Sequence, residues 1–345
     1  MDPLTHLATG VICSQVLPAP SRWWAALAGA IFAVAPDVDY FFIFWDRLAF
    51  IRYHRGFTHS LLAVPLFALA GALLGRYLGG PRWFKPLFIL GLVVLGSHLL
   101  LDLATSYGTQ IFSPFSRRRL SLDWIFIIDP YFTALLVAGA IAALTWPRWG
   151  PRLGAWSLAA AAVYLLVCAS YHHQALDLAR RIFPDIRPGG QTVAALPQPF
   201  SSRRWQLIAA GPGEIQQTFV QLPFEAGLGL GSIEAKAAPV PVTRDQACPT
   251  PASPYQAPGH LTIQTWNAVP AAAAVYSPEA EAILASFLEF ARFPLLCQAG
   301  SQGGEQLMEW RDLRFSIPGR AFPFVLQLRL DAQGRLRHWL IGRRG

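Results

Sequence analysis

The stretch PLFILGLVVLGSHLLLDLAT, residues 86–105, decides the fold class of this chain. It is a mostly apolar run with the length of about 20 residues that an α-helix needs to cross the hydrocarbon core of a bilayer. Two side chains that can bind a metal ion, His98 and Asp102, lie near its end. The stretch therefore predicts a membrane-spanning helix with a polar site close to one of its ends.

The composition of the whole chain also indicates a membrane protein. Of its 345 residues, 53% are hydrophobic and 14% are charged, whereas about a quarter of the residues of a soluble domain are charged. Residues 1–172 hold 12 Lys/Arg and seven acids, all of them Asp, and residues 173–345 hold 16 Lys/Arg and 13 acids. We expect a mainly α fold with a helical membrane domain at 1–175, a linker at 176–202 and a small soluble α+β domain at 203–345.

The net charge of +8 is spread along the chain without a dense basic block. This distribution predicts contact with the lipid bilayer and its anionic headgroups, and it argues against a nucleic-acid partner. We expect a multi-pass protein of the inner membrane.

The membrane domain is predicted to contain seven apolar helices. They lie at 4–17, 23–35, 40–52, 58–78, 86–105, 124–146 and 153–172. The last four are long enough to span a bilayer. The first three are short and broken near Pro18 and Pro36, so they form one or two spans, or re-entrant pieces shielded by the other helices. Asp123 is expected to cap the helix at 124–146, with Asp129 inside that helix and able to reach the site.

The soluble part alternates in hydrophobicity as strands do. The predicted strands are Trp205–Ala210, Thr218–Phe224, His260–Ala268, Arg311–Ile317 and a final hairpin of Phe324–Leu330 with Arg335–Ile341. One helix is expected between Pro278 and Arg292, with Ser277 as its N-cap.

The Asp and His residues of the membrane domain are expected on one side of the membrane. If the helices alternate in direction and the N-terminal side is called side B, all of them fall at side B ends. They are Asp2, Asp37, Asp39, Asp46, Asp102, Asp123, Asp129, His6, His54, His59, His98, His172 and His173. The opposite side, side A, has only the basic residues Arg22, Arg76, Arg82, Lys85, Arg148 and Arg152. Polar groups at membrane depth are costly and are usually retained for function, so this pattern predicts a His/Asp metal site at one end of the helices.

Each motif of this site has two interpretations when it is taken alone. The i, i+4 spacing of His98 and Asp102 puts both side chains on one helix face, where they can share a metal ion or simply hydrogen bond to each other. In Pro36-Asp37-Val38-Asp39, capping explains one carboxylate. The second carboxylate so close by favours a cation that neutralises both.

The run His54-Arg55-Gly56-Phe57-Thr58-His59-Ser60 places two His around a turn in front of an apolar helix. The two rings can converge on one point, and Arg55 can bind a phosphate or carboxylate. Alternatively, the run is an interfacial loop that faces lipid headgroups. Thr58 or Ser60 is expected to cap the following helix.

Together these stretches supply nitrogen and oxygen ligands at one membrane level. Such a mixed set suits zinc first, with manganese or iron as alternatives, and so many ligands suit two ions better than one. Two ions can clamp both the attacking and the leaving oxygen of a phosphoester.

Four motifs of the chain, in their order and spacing, resemble the motif series of the YdjM/YbcI-type membrane-bound, metal-dependent hydrolases. They are His6, Pro36–Asp39, His54–Ser60 and His98-Leu-Leu-Leu-Asp102. The resemblance covers residues 1–175, and the His54–Ser60 run is its most specific part. It implies metal binding and hydrolase chemistry at these positions. It also implies a distant relation to the zinc-dependent phospholipase C and P1-type nuclease group.

The expected function is therefore the metal-dependent hydrolysis of an ester or phosphoester of a lipid or other small membrane-proximal substrate. The predicted metal ligands are His6, Asp37, Asp39, His54, His59, His98 and Asp102. Arg55 is expected to stabilise developing negative charge, and Asp39 is a candidate general base. The alternatives are a metal-ion transporter and a non-catalytic metal-dependent sensor or scaffold.

The side of the membrane is predicted from the charges and the cysteines. A count of basic residues alone favours side B in the cytoplasm. Several of the side B arginines are expected to serve the site, however, so we expect side B and the soluble domain to face outward. In that case Cys248 and Cys297 can form a disulfide.

Overall fold

The computed structural model describes residues 1–183, 192–211, 213–227, 236–241, 254–267, 277–302 and 304–342. The chain forms two compact units. Unit 1 comprises Met1–Trp45 and Tyr53–Ala169, and unit 2 comprises Asp46–Arg52 and Ser170–Gly345. Unit 1 is helical, whereas unit 2 is rich in strands. The predicted order of a helical region followed by an α+β region is thus confirmed.

The N-terminal half contains eight α-helices. They are α1 (Pro3–Val16), α2 (Arg22–Val34), α3 (Phe42–Trp45), α4 (Arg47–Tyr53), α5 (Ala63–Gly79), α6 (Phe84–Ala104), α7 (Pro130–Thr145) and α8 (Gly150–Ile182). Three 3-10 helices lie between them at Pro36–Phe41, Phe57–His59 and Pro81–Trp83. The breaks predicted near Pro18 and Pro36 are confirmed, because α1 and α2 each end two residues before these prolines.

Among the described residues, two helical segments are long and apolar enough to cross a membrane, Pro81–Ala104 and Gly150–Ile182. The number rises to four if two bent pairs each form one span. These pairs are Arg22–Val34 with Pro36–Trp45, bent by 50°, and Arg47–His59 with Ala63–Gly79, bent by 68°. The span predicted at 86–105 is therefore confirmed, whereas the segment predicted at 58–78 reaches spanning length only as part of a bent pair.

The helix predicted at 124–146 begins too early. α7 starts at Pro130 and has 16 residues, so it falls short of a full span. Its N-cap is Asp129, whose side chain accepts hydrogen bonds from the backbone N–H groups of Tyr131 and Phe132. Asp123, the predicted cap, lies in the preceding loop with a φ of 56°. The helix predicted at 40–52 is also wrong as a single element, because α3 and α4 divide it.

The ends of the helices in unit 1 alternate as expected. Asp2 and Thr5, at the start of α1, hydrogen bond to Thr133 at the start of α7. At the opposite end, the Arg22 guanidinium donates to the carbonyl oxygens of Ala143 and Leu144, where α7 ends. The start of α1 therefore lies at side B and the start of α2 at side A.

The described residues of unit 2 form two β-sheets. The strands are β1 (Thr192–Pro197), β2 (Arg204–Gly211), β3 (Glu214–Gln221), β4 (Ala237–Pro241), β5 (Leu261–Asn267), β6 (Pro294–Gln302), β7 (Glu305–Asp312), β8 (Val325–Leu330) and β9 (Leu336–Ile341), with α9 (Phe224–Gly227) and α10 (Pro278–Phe290). One sheet has the order β1-β2-β3-β5-β4 and the other β6-β7-β8-β9. Neighbouring strands are antiparallel except for the parallel pair β4 and β5.

Most predicted elements of this region are confirmed. Ser277 caps α10 by accepting from the N–H of Ala280, and β8 and β9 form the predicted final hairpin. The strand predicted at Arg311–Ile317 is wrong, because β7 ends at Asp312, whose side chain accepts from the N–H of Arg314 and starts a 3-10 turn. β1 lies within the stretch that was expected to be a linker.

Candidate metal centre

The seven predicted ligands meet at the side B end of unit 1. They are contributed by the start of α1, the 3-10 helix after α2, the turn before α5 and the last turns of α6. Six of the seven are buried, and Asp37 is half-buried. Residues that are up to 96 positions apart in sequence are therefore in direct contact.

One group of three side chains can hold a metal ion at the centre of this cluster. Nε2 of His59 lies 3.2 Å from Nε2 of His98 and 3.2 Å from Oδ2 of Asp102. Nε2 of His98 lies 3.5 Å from the same carboxylate oxygen. Three potential ligand atoms thus surround one point.

A second group shares His98 with the first and consists of His6, Asp37 and His98. The rings of His6 and His98 are stacked with their centroids 3.7 Å apart. Oδ1 of Asp37 lies 3.8 Å from Nε2 of His98 and 3.4 Å from Nε2 of His59. Nδ1 of His98 contacts the carbonyl oxygen of Ala33 at 2.7 Å, so only its Nε2 can serve as a ligand, and it can belong to one of the two groups at a time.

The chemistry of the donor set fits a divalent cation. Three buried polar atoms of the cluster have no hydrogen-bond partner. They are Oδ2 of Asp37, Oδ2 of Asp102 and Nδ1 of His6. Buried polar atoms are normally paired, so each of these three needs an explanation. Two neighbouring carboxylates also repel each other unless a cation neutralises them. Imidazole and carboxylate ligands together suit zinc, manganese or iron.

Asp39 contacts the cluster from outside the two groups. Its Oδ1 lies 2.8 Å from Nδ1 of His54, and its Oδ2 accepts from the backbone N–H of Arg55 at 3.0 Å and from the hydroxyl of Thr58 at 2.8 Å. Oδ2 also lies 3.2 Å from Nδ1 of His59. Contacts of this kind to Nδ1 fix the ring so that Nε2 faces the metal position.

Arg55 is buried and forms an ion pair with Asp102. Its Nη2 lies 2.8 Å from Oδ1 of Asp102, and its Nη1 donates to the Thr105 hydroxyl at 2.9 Å. The guanidinium lies 4.8 Å from the ring centroid of Tyr107. The amino group of Met1 also contacts Oδ1 of Asp102. One oxygen of this carboxylate is thus paired with cations of the chain, while the other faces His59 and His98.

Several of these partners were not predicted from the sequence. Thr58 was expected to cap a helix, but its hydroxyl donates to Asp39. Ser60 is the residue whose side chain accepts from the N–H of Ala63 at the start of α5. Thr105 directly follows the His-x-x-x-Asp helix, and this position was the only signal for it in the sequence.

Other polar residues of side B lie outside the cluster. Asp129 caps α7 and accepts from the hydroxyl of Tyr164 at 2.9 Å, so its expected reach to the site is wrong. The Arg119 side chain donates to the carbonyl oxygens of His54 and Gly108. His172 and His173 belong to unit 2.

Comparison with known proteins identifies relatives of the helical region. Residues 1–175 match the model of the family described as YdjM inner membrane protein. The chain is 34% identical over 155 residues to the uncharacterized protein YfhP of Bacillus subtilis, covering 41% of this chain and 46% of that protein. It is 40% identical over 129 residues to the inner membrane protein YdjM of Escherichia coli, covering 32% of this chain and 63% of YdjM.

The inner membrane protein YbcI of Escherichia coli is 36% identical over 106 residues, which are 28% of this chain and 57% of YbcI. The chain thus spans between about half and two thirds of the length of these three relatives. No solved structure matches it. The distant relation to the phospholipase C and P1-type nuclease group therefore stays a prediction, whereas the location in the inner membrane is confirmed by the family and by the apolar helices.

Proposed function

Because the chain belongs to the YdjM inner membrane protein family, we propose that its helical unit is a membrane-bound, metal-dependent hydrolase. The substrate class is an ester or phosphoester of a lipid or of another small molecule at the membrane surface. The ion is zinc, with manganese or iron as alternatives, and two ions can be accommodated. A bound divalent ion would polarise the ester and lower the pKa of water.

The observation that carries the proposal is the pair of His/Asp groups that share His98. In this proposal His59, His98 and Asp102 hold one ion, and His6 and Asp37 are available to a second. His98 serves a single ion through Nε2, because its Nδ1 contacts the carbonyl oxygen of Ala33. Asp37 is the half-buried member of the cluster, so a substrate reaches the site beside it. Buried, unpartnered carboxylate oxygens at both groups support a bound cation.

Arg55 and Asp39 have supporting roles in the proposal. The Arg55 side chain compensates the charge of Asp102 through Nη2, and its Nε–H has no hydrogen-bond partner. This remaining donor suits the negative charge that develops when an ester is attacked. Asp39 acts as a positioning residue, because both of its oxygens already contact His54, His59 and other donors. Asp39 therefore has no oxygen available to act as the general base.

The test is the metal content and the esterase activity of the purified full chain in detergent. Wild type is compared with His98→Ala, which removes a ligand from both groups. We expect wild type to contain a divalent metal and to hydrolyse p-nitrophenyl phosphate or a phospholipid. His98→Ala should lose most of the metal and at least 100-fold in rate, since loss of even an outer partner of a metal site costs roughly 10–100-fold.

His173→Ala is the matched control, because the His173 side chain is 70% exposed and belongs to unit 2. It should keep both the metal and the activity. Equal metal content in wild type and His98→Ala would contradict the metal site. Metal binding that depends on His98, without turnover of any ester, would contradict the hydrolase and favour a metal-dependent sensor.

A further inference from the structure

An apolar cleft lies in unit 1 between α2 and α5, at the end opposite to the His/Asp cluster. Its volume is about 810 Å³, which lies within the roughly 300–1,000 Å³ that is typical of ligand pockets. The side A end of the cleft is formed by Ser21 at the start of α2, Gly79 at the end of α5 and Arg82 in the following turn. From there the cleft extends along the helices to Phe32 and Gly71.

The α5 wall of the cleft includes three glycines at four-residue intervals, Gly71, Gly75 and Gly79. A Cβ atom at these positions would overlap with Phe32, Leu87 and Trp83, respectively. Glycines at such spacing usually leave room for a second helix to pack closely. Here the side chains of Phe32, Leu87 and Trp83 fill that room. The space that remains beside them is a cleft and not a helix-packing face.

The long walls of the cleft are apolar and open to the outside of unit 1. Four exposed apolar side chains line the cleft. They are Leu27 and Ile31 of α2, and Leu74 and Leu78 of α5. Trp24 stands beside them near side A, where tryptophan is favoured at the membrane–water interface. A flexible hydrocarbon chain is the chemistry that fits these walls.

The side A end of the cleft is basic. Arg82 lines the cleft, and Lys85 lies in the first turn of α6. The Arg22 guanidinium, by contrast, is directed to the end of α7. None of the seven Asp of residues 1–172 lines the cleft. Arg binds phosphate groups through paired N–H donors, so the charge at this end is complementary to an anionic headgroup.

We propose that the cleft binds an anionic phospholipid of the surrounding membrane, with an acyl chain between α2 and α5 and the phosphate at Arg82. A second copy of the chain in the same orientation would bring a second set of side A arginines to this end. Like charges that face each other are unfavourable, and the glycine face of α5 is already covered. The lipid is therefore the occupant that the observations favour.

The experiment is native mass spectrometry of the full chain, released from detergent that contains equal amounts of phosphatidylglycerol and phosphatidylcholine with the same acyl chains. We expect wild type to retain one phosphatidylglycerol in preference to phosphatidylcholine. Arg82→Gln should reduce this preference about fivefold, because one basic residue near a membrane surface contributes about 1 kcal/mol to binding of anionic lipid. Leu27→Trp, which fills the cleft, should reduce the retention of both lipids.

Arg148→Gln is the matched control, since Arg148 is a side A residue in the turn between α7 and α8 and does not line the cleft. It should keep the wild-type preference. Equal retention of the two lipids by wild type, or the same loss in Arg148→Gln as in Arg82→Gln, would overturn the proposal. A dimer that Leu27→Trp abolishes, while lipid retention is unchanged, would assign the cleft to a second copy and overturn it as well.

Discussion

At the scale of single residues, Asp39 determines which nitrogen of His59 faces the other site residues. Its Oδ2 contacts Nδ1 of His59 at 3.2 Å, so Nε2 is directed towards His98 and Asp102. Partners of this kind also raise the basicity of a metal-binding imidazole. Asp39 can therefore affect metal binding without being a ligand.

We predict that Asp39→Ala lowers the metal affinity of the full chain by about 10–100-fold, because Nδ1 of His59 loses its charged partner and keeps only the Thr58 hydroxyl. The affinity is measured by competition with a chelator of known zinc affinity. Asp46→Ala is the control, since Asp46 accepts from the N–H groups of Leu48 and Ala49 at the start of α4 and lies outside the cluster. If Asp39→Ala binds zinc as tightly as Asp46→Ala, the positioning role is refuted.

The sequence predicted which residues of the cluster converge, but only some of the contacts between them. The i, i+4 spacing of His98 and Asp102 places both on one helix face in any α-helix, so their contact could be foreseen. The ion pair of Arg55 with Asp102 joins residues 47 positions apart. It depends on the turn in which Arg55 adopts a φ of 57°, and a non-glycine residue in that region is uncommon.

At the scale of secondary-structure elements, α1 and α2 cross with their backbones in contact. A Cβ atom on Gly10 would overlap with the carbonyl oxygen of Gly29, and one on Gly29 with the carbonyl oxygen of Gly10. This reciprocal contact brings the start of α1, with His6, next to the end of α2, where Ala33 accepts from His98. The helix crossing thus positions two parts of the candidate metal site.

We predict that Gly10→Ala lowers the stability of the chain by about 1–3 kcal/mol, because the added methyl group separates two closely packed backbones. Gly96→Ala in α6 is the matched control, since its Cβ would meet no atom within 4 Å. Alanine is the better helix former by up to about 1 kcal/mol, so this variant should be as stable as wild type or more stable. The Tm in detergent is the measurement, and equal Tm values for the two variants would contradict the crossing.

Helix boundaries were predicted well where a proline or a cap residue stands alone, and poorly where two signals compete. α2 ends just before Pro36 as expected, because proline has no N–H to donate to the carbonyl oxygen four residues earlier. Ala35 itself keeps helical backbone angles. Before α7 the sequence offers both Asp123 and Asp129-Pro130 as start signals. The second pair starts the helix, because proline is favoured at the first helical position, while tertiary contacts hold residues 105–128 outside a helix.

At the scale of the whole molecule, the division into a helical and a strand-rich region followed from the charge density together with the hydrophobic pattern. Long apolar runs with few charges require a lipid environment, and alternating runs with normal charge predict strands. The assignment of Asp46–Arg52 to unit 2 was not foreseeable. It depends on a contact distant in sequence, in which the Arg47 guanidinium donates to the carbonyl oxygen of Ile341 at 2.7 Å.

The distribution of basic residues does not by itself decide which side of the membrane side B faces. Side B has more basic residues than side A, and such an excess normally marks the cytoplasmic side. On side B, however, the charge of Arg55 is offset within unit 1 by its ion pair with Asp102. The excess is therefore smaller than the sequence suggested.

We predict that unit 2 faces the oxidising, extracytoplasmic side, where a disulfide between Cys248 and Cys297 is stable. Cys297 is disulfide-bonded in the structure, and Cys13 and Cys168 are free. Cys248 lies outside the described residues, so the pairing itself stays a prediction. For the test, the chain carries Cys13→Ala and Cys168→Ala, because these two free thiols are buried and would escape blocking in the native state. In intact cells, the accessible thiols are blocked with a membrane-permeant maleimide, and the protein is then denatured, reduced and labelled with a large maleimide. Two labels should be added only after reduction, and a Cys297→Ser variant should take up none. Labelling that does not depend on reduction, or complete blocking at the first step, would place unit 2 in the reducing cytoplasm, because glutathione keeps thiols reduced there.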